Sequence, residues 1–499
     1  MNAKQYLLGL DIGSSSIKAT LVDADTGTSV SSAQSPKEEM PMLAVQPGWA
    51  EQDPELWWHH VVISVKECLK NLDASNVKAI GIAYQMHGLV VVDKNMKPLR
   101  PAIIWCDSRA VGIGEKAFSQ LGHDYSLQHL LNSPGNFTAT KLRWIKENEP
   151  AVYSQIHKIM LPGDFIALKL TGEATTTATG LSEGIFWDYP SNSVSQKLLD
   201  CLEINQSLLS RVVDVFSEHG VLTKATADEL GLPAGIKISY RAGDQPNNAF
   251  SLNVLNPGET AATAGTSGVI YSVTNQNSFD MKSRVNAFIH VNSKADAIRN
   301  GVLLCINGTG ILNSWLRKNT VGNGHAFSYE EMNDIASQSS IGAEGVSVLP
   351  FGNGAERILE NKDIGASFHG VNFNRHNQSH LFRAAQEGIV FALNYGFEIL
   401  QDMGLKSDVI RAGHANMFLS PLFREAFVNT TGVRVERYDT DGAKGAALGA
   451  GVGAGVYKSF EEAFTGLTLI GSEEPKAELR EQYLKAYQVW KERLAGVLV

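Results

Sequence analysis

The chain has 499 residues, of which 43% are hydrophobic and 19% charged, with a formal net charge of −9 and a pI near 5.8. That is too much chain for one ordinary hydrophobic core, so two large domains or three small ones are expected. The negative balance argues against sequence-independent nucleic-acid binding and against anchoring on an acidic membrane surface. The N-terminal apolar run is too short for a signal peptide, and the most membrane-like stretch, residues 445–457, is Gly-rich and too short to span a bilayer. Cys68, Cys106, Cys201 and Cys305 are scattered with no metal-ligand spacing, as expected of free thiols in a reducing cytoplasm.

Residues 6–21 (YLLGLDIGSSSIKATL) read as a hairpin. A buried strand ends near Asp11, Gly13-Ser14-Ser15-Ser16 turns the chain, and a second strand returns from Ile17. Small residues at such a tip let backbone N–H groups approach anionic oxygens, Asp11 is a candidate to hold Mg²⁺ through water, and Lys18 adds positive charge. Taken alone, the same residues also suit a surface turn. Residues 29–39 are polar and read as a loop. Asp53-Pro54 starts a helix with Trp57, Val61, Val65 and Leu69 at helical spacing.

Residues 77–83 read as a strand leading to Tyr84-Gln85-Met86-His87-Gly88. His87 there is either a satisfied turn histidine or a polar finger for a polyol. Trp105-Cys106-Asp107-Ser108-Arg109 is either a local ion pair or the wall of a sugar pocket. Residues 138–149 are an amphipathic helix, and residues 175–182 read as a Thr- and Gly-rich loop.

Residues 236–243 form another strand with a carboxylate at its end, Asp244, followed by Gln245 and a helix that Asp244 is also suited to cap. Residues 259–271 echo the first hairpin, with Gly265-Thr266-Ser267-Gly268 at the tip, so a second half of the same architecture begins here. Asn307-Gly308-Thr309-Gly310 precedes an amphipathic helix. Ser379 is expected to cap a long helix, Val409-Ile410-Arg411 ends at Gly413-His414-Ala415-Asn416, and residues 444–455 read as a Gly/Ala-rich helix able to pack closely on a neighbour. Strand, turn, strand and helix recur throughout, the mark of α/β domains with mixed sheets.

Loops at Asp11, Asp244, Gly265 and Gly413 share one character, and loops from two halves meeting across a cleft suit a nucleoside triphosphate. No GxxxxGK[ST] and no HRD or DFG set is present, so neither a P-loop protein nor a protein kinase is indicated.

LDIGSSSIKATLVD, TAGTSGVIY and IRAGHANMFLSPLF resemble the first phosphate, second phosphate and adenosine motifs of the FGGY carbohydrate kinases, over essentially the whole chain. YQMHGLV followed by LRPAIIWCDSR is, within that family, most similar to xylulose kinases. Two segments depart from that pattern. GHANMFL takes a form closer to glycerol kinases, and Leu181-Ser182-Glu183-Gly184-Ile185 replaces an ASGT-like segment. The resemblance implies an α/β fold of two ribonuclease-H-like domains (residues 1–243 and 244–499), each a mixed sheet flanked by helices, with the active-site cleft between them.

It further implies ATP-dependent phosphorylation of D-xylulose, ATP and Mg²⁺ as cofactors, no nucleic-acid or membrane partner, a cytoplasmic location, and a homodimer, as is frequent in the family. Asp244 would be the general base. Asp11 and Asp244 would be the carboxylates near Mg²⁺. Met86, His87, Trp105, Asp244 and Gln245 would hold the sugar. Gly13, Ser14, Ser15, Lys18, Gly265, Thr266, Ser267, Gly310, Gly413 and Asn416 would hold the nucleotide. Kinases for ribulose, fuculose or glycerol, and a non-catalytic regulator on the same fold, are the competing expectations.

Overall fold

The structure, a computed structural model, describes residues 4–322 and 325–498. In the first half the chain forms strands β1 (Tyr6–Ile12), β2 (Ile17–Asp23) and β3 (Ser29–Ser35), helix α1 (Pro54–Leu69) and strand β4 (Val77–Tyr84). Helices α2 (Thr138–Asn148), α3 (Pro162–Thr171) and α4 (Ala178–Glu183) follow, then strands β5 (Gly220–Val221) and β6 (Lys237–Gly243) and helix α5 (Asp244–Ser251). The second half contributes β7 (Thr260–Ala264), β8 (Gly268–Thr274), β9 (Asn286–Ile289), β10 (Asn300–Ile306), α6 (Gly310–Asn319), α7 (Gln378–Asp402), β11 (Val409–Gly413), β12 (Arg434–Tyr438), α8 (Gly442–Gly453), β13 (Leu469–Glu473) and α9 (Ala477–Leu498).

The first sheet runs β5-β6-β4-β1-β2-β3 and the second β9-β10-β8-β7-β11-β12-β13. In each, three strands joined antiparallel continue into two parallel ones: β3-β2-β1-β4-β6 and β10-β8-β7-β11-β12. The repeat that is faint in the letters is therefore a repeat of topology. Strands β1, β4 and β6 are buried almost throughout, as expected of parallel strands covered on both faces.

Helix α1 covers one face of the first sheet against β2 and β3. Its start is set by Asp53, whose carboxylate accepts from the Glu55 N–H, and by Pro54 in the first turn. The other face is covered by α8, which belongs by sequence to the second half yet packs on β1, β4 and β6. It seats directly on strand backbone. A Cβ at Gly9 would stand 1.8 Å from the Ala443 carbonyl oxygen and one at Gly81 2.0 Å from that of Ala446. Helix α7 underlies β8 and β10 in the second half.

Three local expectations are corrected. Residues 29–35 are the edge strand β3 rather than loop; their polarity belongs to an edge whose side chains alternate toward solvent. Residues 175–182 include the short strand Thr175–Thr177 and helix α4, whose N-cap Thr177 accepts from the Gly180 N–H. Asn377, not Ser379, caps α7, accepting from the Ser379 N–H at 2.9 Å.

Candidate active site

Parallel pairing aligns Asp11 of β1 with Ala83 of β4, and Tyr84 with Gly243 of β6. Asp11, the Gln85-Met86-His87 turn and Asp244 therefore emerge at one end of the sheet, the carboxyl end of parallel strands where α/β folds bind ligands. Asp244 is the first residue of α5. Gly243 occupies the cap position and makes no side-chain cap bond; the Asp244 carboxylate, one position on, takes hydrogen bonds from Gln245 and from its own N–H. Burial, then the nearby Asp11, push Asp244 up to about 7, with Gln245 hydrogen bonding opposing. Asp11 rises to about 6 through burial and Asp441, with Lys18 acting the other way.

The wall beyond Asp244 is built from the His87 turn. Met86 is buried, and a Cβ at Gly243 would lie 2.6 Å from its Cγ. His87 adopts φ of +60°, a left-handed conformation that costs an L-residue about 1–2 kcal/mol. Its Nδ1 lies 2.9 Å from the Glu183 carbonyl oxygen. A carbonyl only accepts, so Nδ1 carries the proton. Burial lowers the imidazole to about 3, which leaves Nε2 as a hydrogen-bond acceptor. The ring packs edge-on against Phe137 of the first half at 5.0 Å and against Phe288 of the second at 5.3 Å. The Glu183 carboxyl is fully buried. The Tyr84 hydroxyl and the backbone N–H of His87 help steady its charge, but neither carboxyl oxygen completes a hydrogen bond. Burial and the Asp244 charge hold it well above the usual carboxylate range.

Trp105 donates its indole N–H to Ser14 Oγ at 3.3 Å, and Gln52 donates to the Ser14 carbonyl at 2.7 Å, so the first hairpin tip is braced from outside. Asp107 and Arg109 form the local ion pair: the guanidinium grips the carboxylate at 2.7–3.0 Å and lies over the Trp49 ring. Both are buried, so this pair builds the wall rather than facing a ligand.

In the second half, the Gly310 N–H donates to the Gly265 carbonyl at 2.9 Å and the Ile311 N–H to that of Thr266 at 3.2 Å, which joins the start of α6 to the hairpin tip. A Cβ at Gly265 would sit 3.4 Å from Asn416 Nδ2, and Asn416 itself has φ of +53°. Gly413 ends β11, parallel to β7, so Gly265, Gly310, Gly413 and Asn416 gather at one sheet end. The Cys305 thiol is raised by burial and by the charges of Glu356 and Asp244, with a Ser267 hydrogen bond opposing.

Lys18 has a carboxylate partner, Asp441 at 2.6 Å, which also caps α8. The ammonium expected to face phosphates thus bridges the two halves. His414 Nδ1 accepts from Arg437 at 2.8 Å.

Two contributors escaped the sequence reading. Gly442 lies on the Asp11 carboxylate, where a Cβ would come within 2.3 Å of Oδ2; its signal was a glycine opening a Gly/Ala-rich helix. Lys141 is fully buried and donates to the carbonyls of His87 at 2.9 Å and Ile104 at 3.0 Å. Helical periodicity alone gives it no distinction. Among the described residues no cluster of three or more His, Cys, Asp or Glu forms a ready-made metal cage. Asp11, Asp244 and Asp441 outnumber the ammoniums beside them, Lys18 and Lys444, and the excess of negative charge is a setting that fits Mg²⁺ held by one or two carboxylates, water and substrate phosphates.

Two ribonuclease-H-like halves with carboxylates at the strand ends of one and small-residue turns in the other define the class of actin, Hsp70 and the sugar kinases. The comparisons narrow it. The N-terminal domain of the FGGY family of carbohydrate kinases matches residues 6–251 and its C-terminal domain residues 260–456. The chain is 28% identical over 494 residues to a xylulose kinase of Escherichia coli (strain K12), covering 96% of this chain and 98% of that one. Its fold is that of a ligand-bound xylulose kinase from Lactobacillus acidophilus (TM-score 0.88, 22% identity, 99% of this chain and 98% of that one). It is also that of a Plasmodium falciparum glycerol kinase with ADP (TM-score 0.86, 21% identity, 99% of each chain). The chain belongs to the FGGY family of carbohydrate kinases and is an ATP-dependent sugar phosphotransferase. No helix among the described residues is long and apolar enough to cross a membrane.

Proposed function

We propose that this kinase phosphorylates D-xylulose on its C5 hydroxyl, with Asp244 as general base. The observation that carries the reading is Asp244 itself: a half-buried carboxylate at a strand end, one position past the helix cap that Gly243 occupies, beside the Met86-His87 turn. Phosphoryl transfer passes through a loose, in-line transition state, so the base has chiefly to orient the hydroxyl and take its proton late. The C5 oxygen forms its bond to the γ-phosphorus as the bond to the β–γ bridging oxygen breaks, ADP leaves, and the hydroxyl proton passes to Asp244.

His87 Nε2 accepts a hydrogen bond from a sugar hydroxyl, Gln245 offers its amide, and Met86 and Trp105 cover apolar C–H faces. Gly13, Ser14, Ser15, Gly265, Thr266 and Ser267 supply donors to the β- and γ-phosphates, and Gly310, Gly413 and Asn416 line the nucleoside. Asp11, with Asp244, would hold Mg²⁺, and the bound ion would neutralise charge on the transferring phosphoryl group. Asp244 follows the last parallel strand of the first sheet directly and opens α5, the last helix of the first half, so the base stands at the junction of the halves.

A second reading, a kinase for another ketose or polyol, is favoured by Glu183, whose buried carboxyl stands against the sugar wall, and by the glycerol-kinase likeness of the fold. ADP release with Mg-ATP across a panel of ketoses and polyols, beside Asp244→Ala, separates the two. D-xylulose stimulation lost in the variant supports the first reading. Stimulation by another sugar supports the second and keeps the base. Turnover indifferent to every sugar and to the substitution overturns both.

A further inference from the structure

We propose that Lys141 is a positioning residue for the sugar: from α2 its buried ammonium pins the His87 turn to Ile104, the residue before Trp105, setting the imidazole and the indole in a fixed relation. The proposal rests on the reading of His87 and Trp105 as sugar-holding residues. Its geometric basis is independent of any ligand. The ammonium is wholly buried and spends two donors on the His87 carbonyl (2.9 Å) and the Ile104 carbonyl (3.0 Å). Neither carbonyl lies in α2, so the bonds tie three segments together.

One turn earlier on the same helix, Thr138 Oγ1 donates to the Gly88 carbonyl at 3.3 Å. Helix α2 thus grips two successive carbonyls of the turn. The gripped residue is the one in a left-handed conformation, which persists only where surroundings over-determine it. Burying an ammonium for two carbonyl acceptors is an expensive way to fill a core. Asp107, the carboxylate that acts on it most, is already committed to Arg109. Burial lowers Lys141 to about 8, so it is still an ammonium at pH 7.

Steady-state kinetics on Lys141→Met, Lys141→Gln, His87→Asn and the Gln/Asn double variant test this, with the sugar that most stimulates the wild type. Lys141→Met, which keeps length without donors, should raise the sugar KM by about tenfold to a hundredfold and leave the KM for Mg-ATP within about twofold, since a small misplacement of a positioning group is costly. Lys141→Gln, which keeps a donor, should recover part of that loss. In the His87→Asn background, Lys141→Gln should add little further.

A merely structural role would lower kcat with the fraction folded and leave both KM values alone; that result overturns the proposal, as does full additivity in the double variant. If Lys141→Met fails to fold, the Gln variant and its double-variant cycle decide by the same criteria. A wild type stimulated by no sugar overturns the functional reading and the proposal with it, whereas a stimulated wild type without the KM split overturns the proposal alone.

Discussion

Asp244 illustrates how one residue's surroundings separate two roles that its sequence position allows. A carboxylate at the start of a helix ordinarily caps it, but here the backbone conformation assigns the cap position to Gly243. Asp244→Ala is expected to lower sugar-dependent ADP release by several orders of magnitude, because base and orientation are lost together. Its pKa of about 7 adds a pH signature. In the proposed role Asp244 works ionised, so kcat/KM for the sugar should fall as pH drops through about 7; a profile flat through that value would contradict the role.

The same shift has a consequence for stability. Asp11 and Asp244 titrate at about 6 and about 7 when folded, above their ordinary value of 3.8. Between those values the folded chain holds more protons than the unfolded chain. Their contribution is therefore fully present below pH 4 and is lost as pH rises through 6 to 7. Asp244→Asn should raise the Tm of the ligand-free, metal-free protein at pH 7.5, by an increment that shrinks toward pH 4; a lower Tm at pH 7.5 would contradict the burial argument.

At the scale of elements, the recurrent device is a strand ending in a short turn whose side chains face the cleft. β1, β4, β7 and β11 follow it, whereas β6 passes directly into α5 with Asp244 as its first helical residue. These elements were legible because alternation, apolar runs and Gly-rich tips lie within a few residues of one another. The edge strand β3 was not, since a strand with one paired side and solvent-facing side chains has the composition of a loop. Helix α8 was recognisable as close-packing, but its target was not. Gly81→Ala puts a methyl 2.0 Å from the Ala446 carbonyl oxygen, which only a backbone shift relieves. It should destabilise the protein by at least about 1–3 kcal/mol, read as a lower urea midpoint with unchanged slope. An unchanged midpoint would mean that α8 is free to lift from the sheet.

For the whole molecule, α8 and the Lys18–Asp441 pair tie the second half to the first sheet, while Phe288 reaches the His87 ring from across the cleft. Both halves thus contribute to one site, and ligands that bridge them should act on the global fold. Saturating Mg-ATP together with the sugar should raise the Tm, since a ligand at 100 times its Kd adds about 2.7 kcal/mol of stability. The radius of gyration from small-angle scattering should fall only when both are present, as closure around the pair of substrates excludes water from the phosphoryl group. Contraction with the nucleotide alone would show that the sugar is not needed to close the cleft.

By itself the sequence determined the strand–turn units, the carboxylates at their ends, the duplicated architecture and the family motifs, because each is written in residues that neighbour one another along the chain. The tertiary structure alone decided which of those polar groups are spent and which remain available. Lys18 meets a partner 423 positions away, Gly442 closes over Asp11, and the His87 proton is fixed on Nδ1 by the Glu183 carbonyl. The Lys141 ammonium is likewise held by the carbonyls of two other segments. The reason is physical: hydrophobic pattern and turn chemistry act locally, whereas desolvation and the choice of hydrogen-bond partner depend on what the folded chain brings within 3 Å.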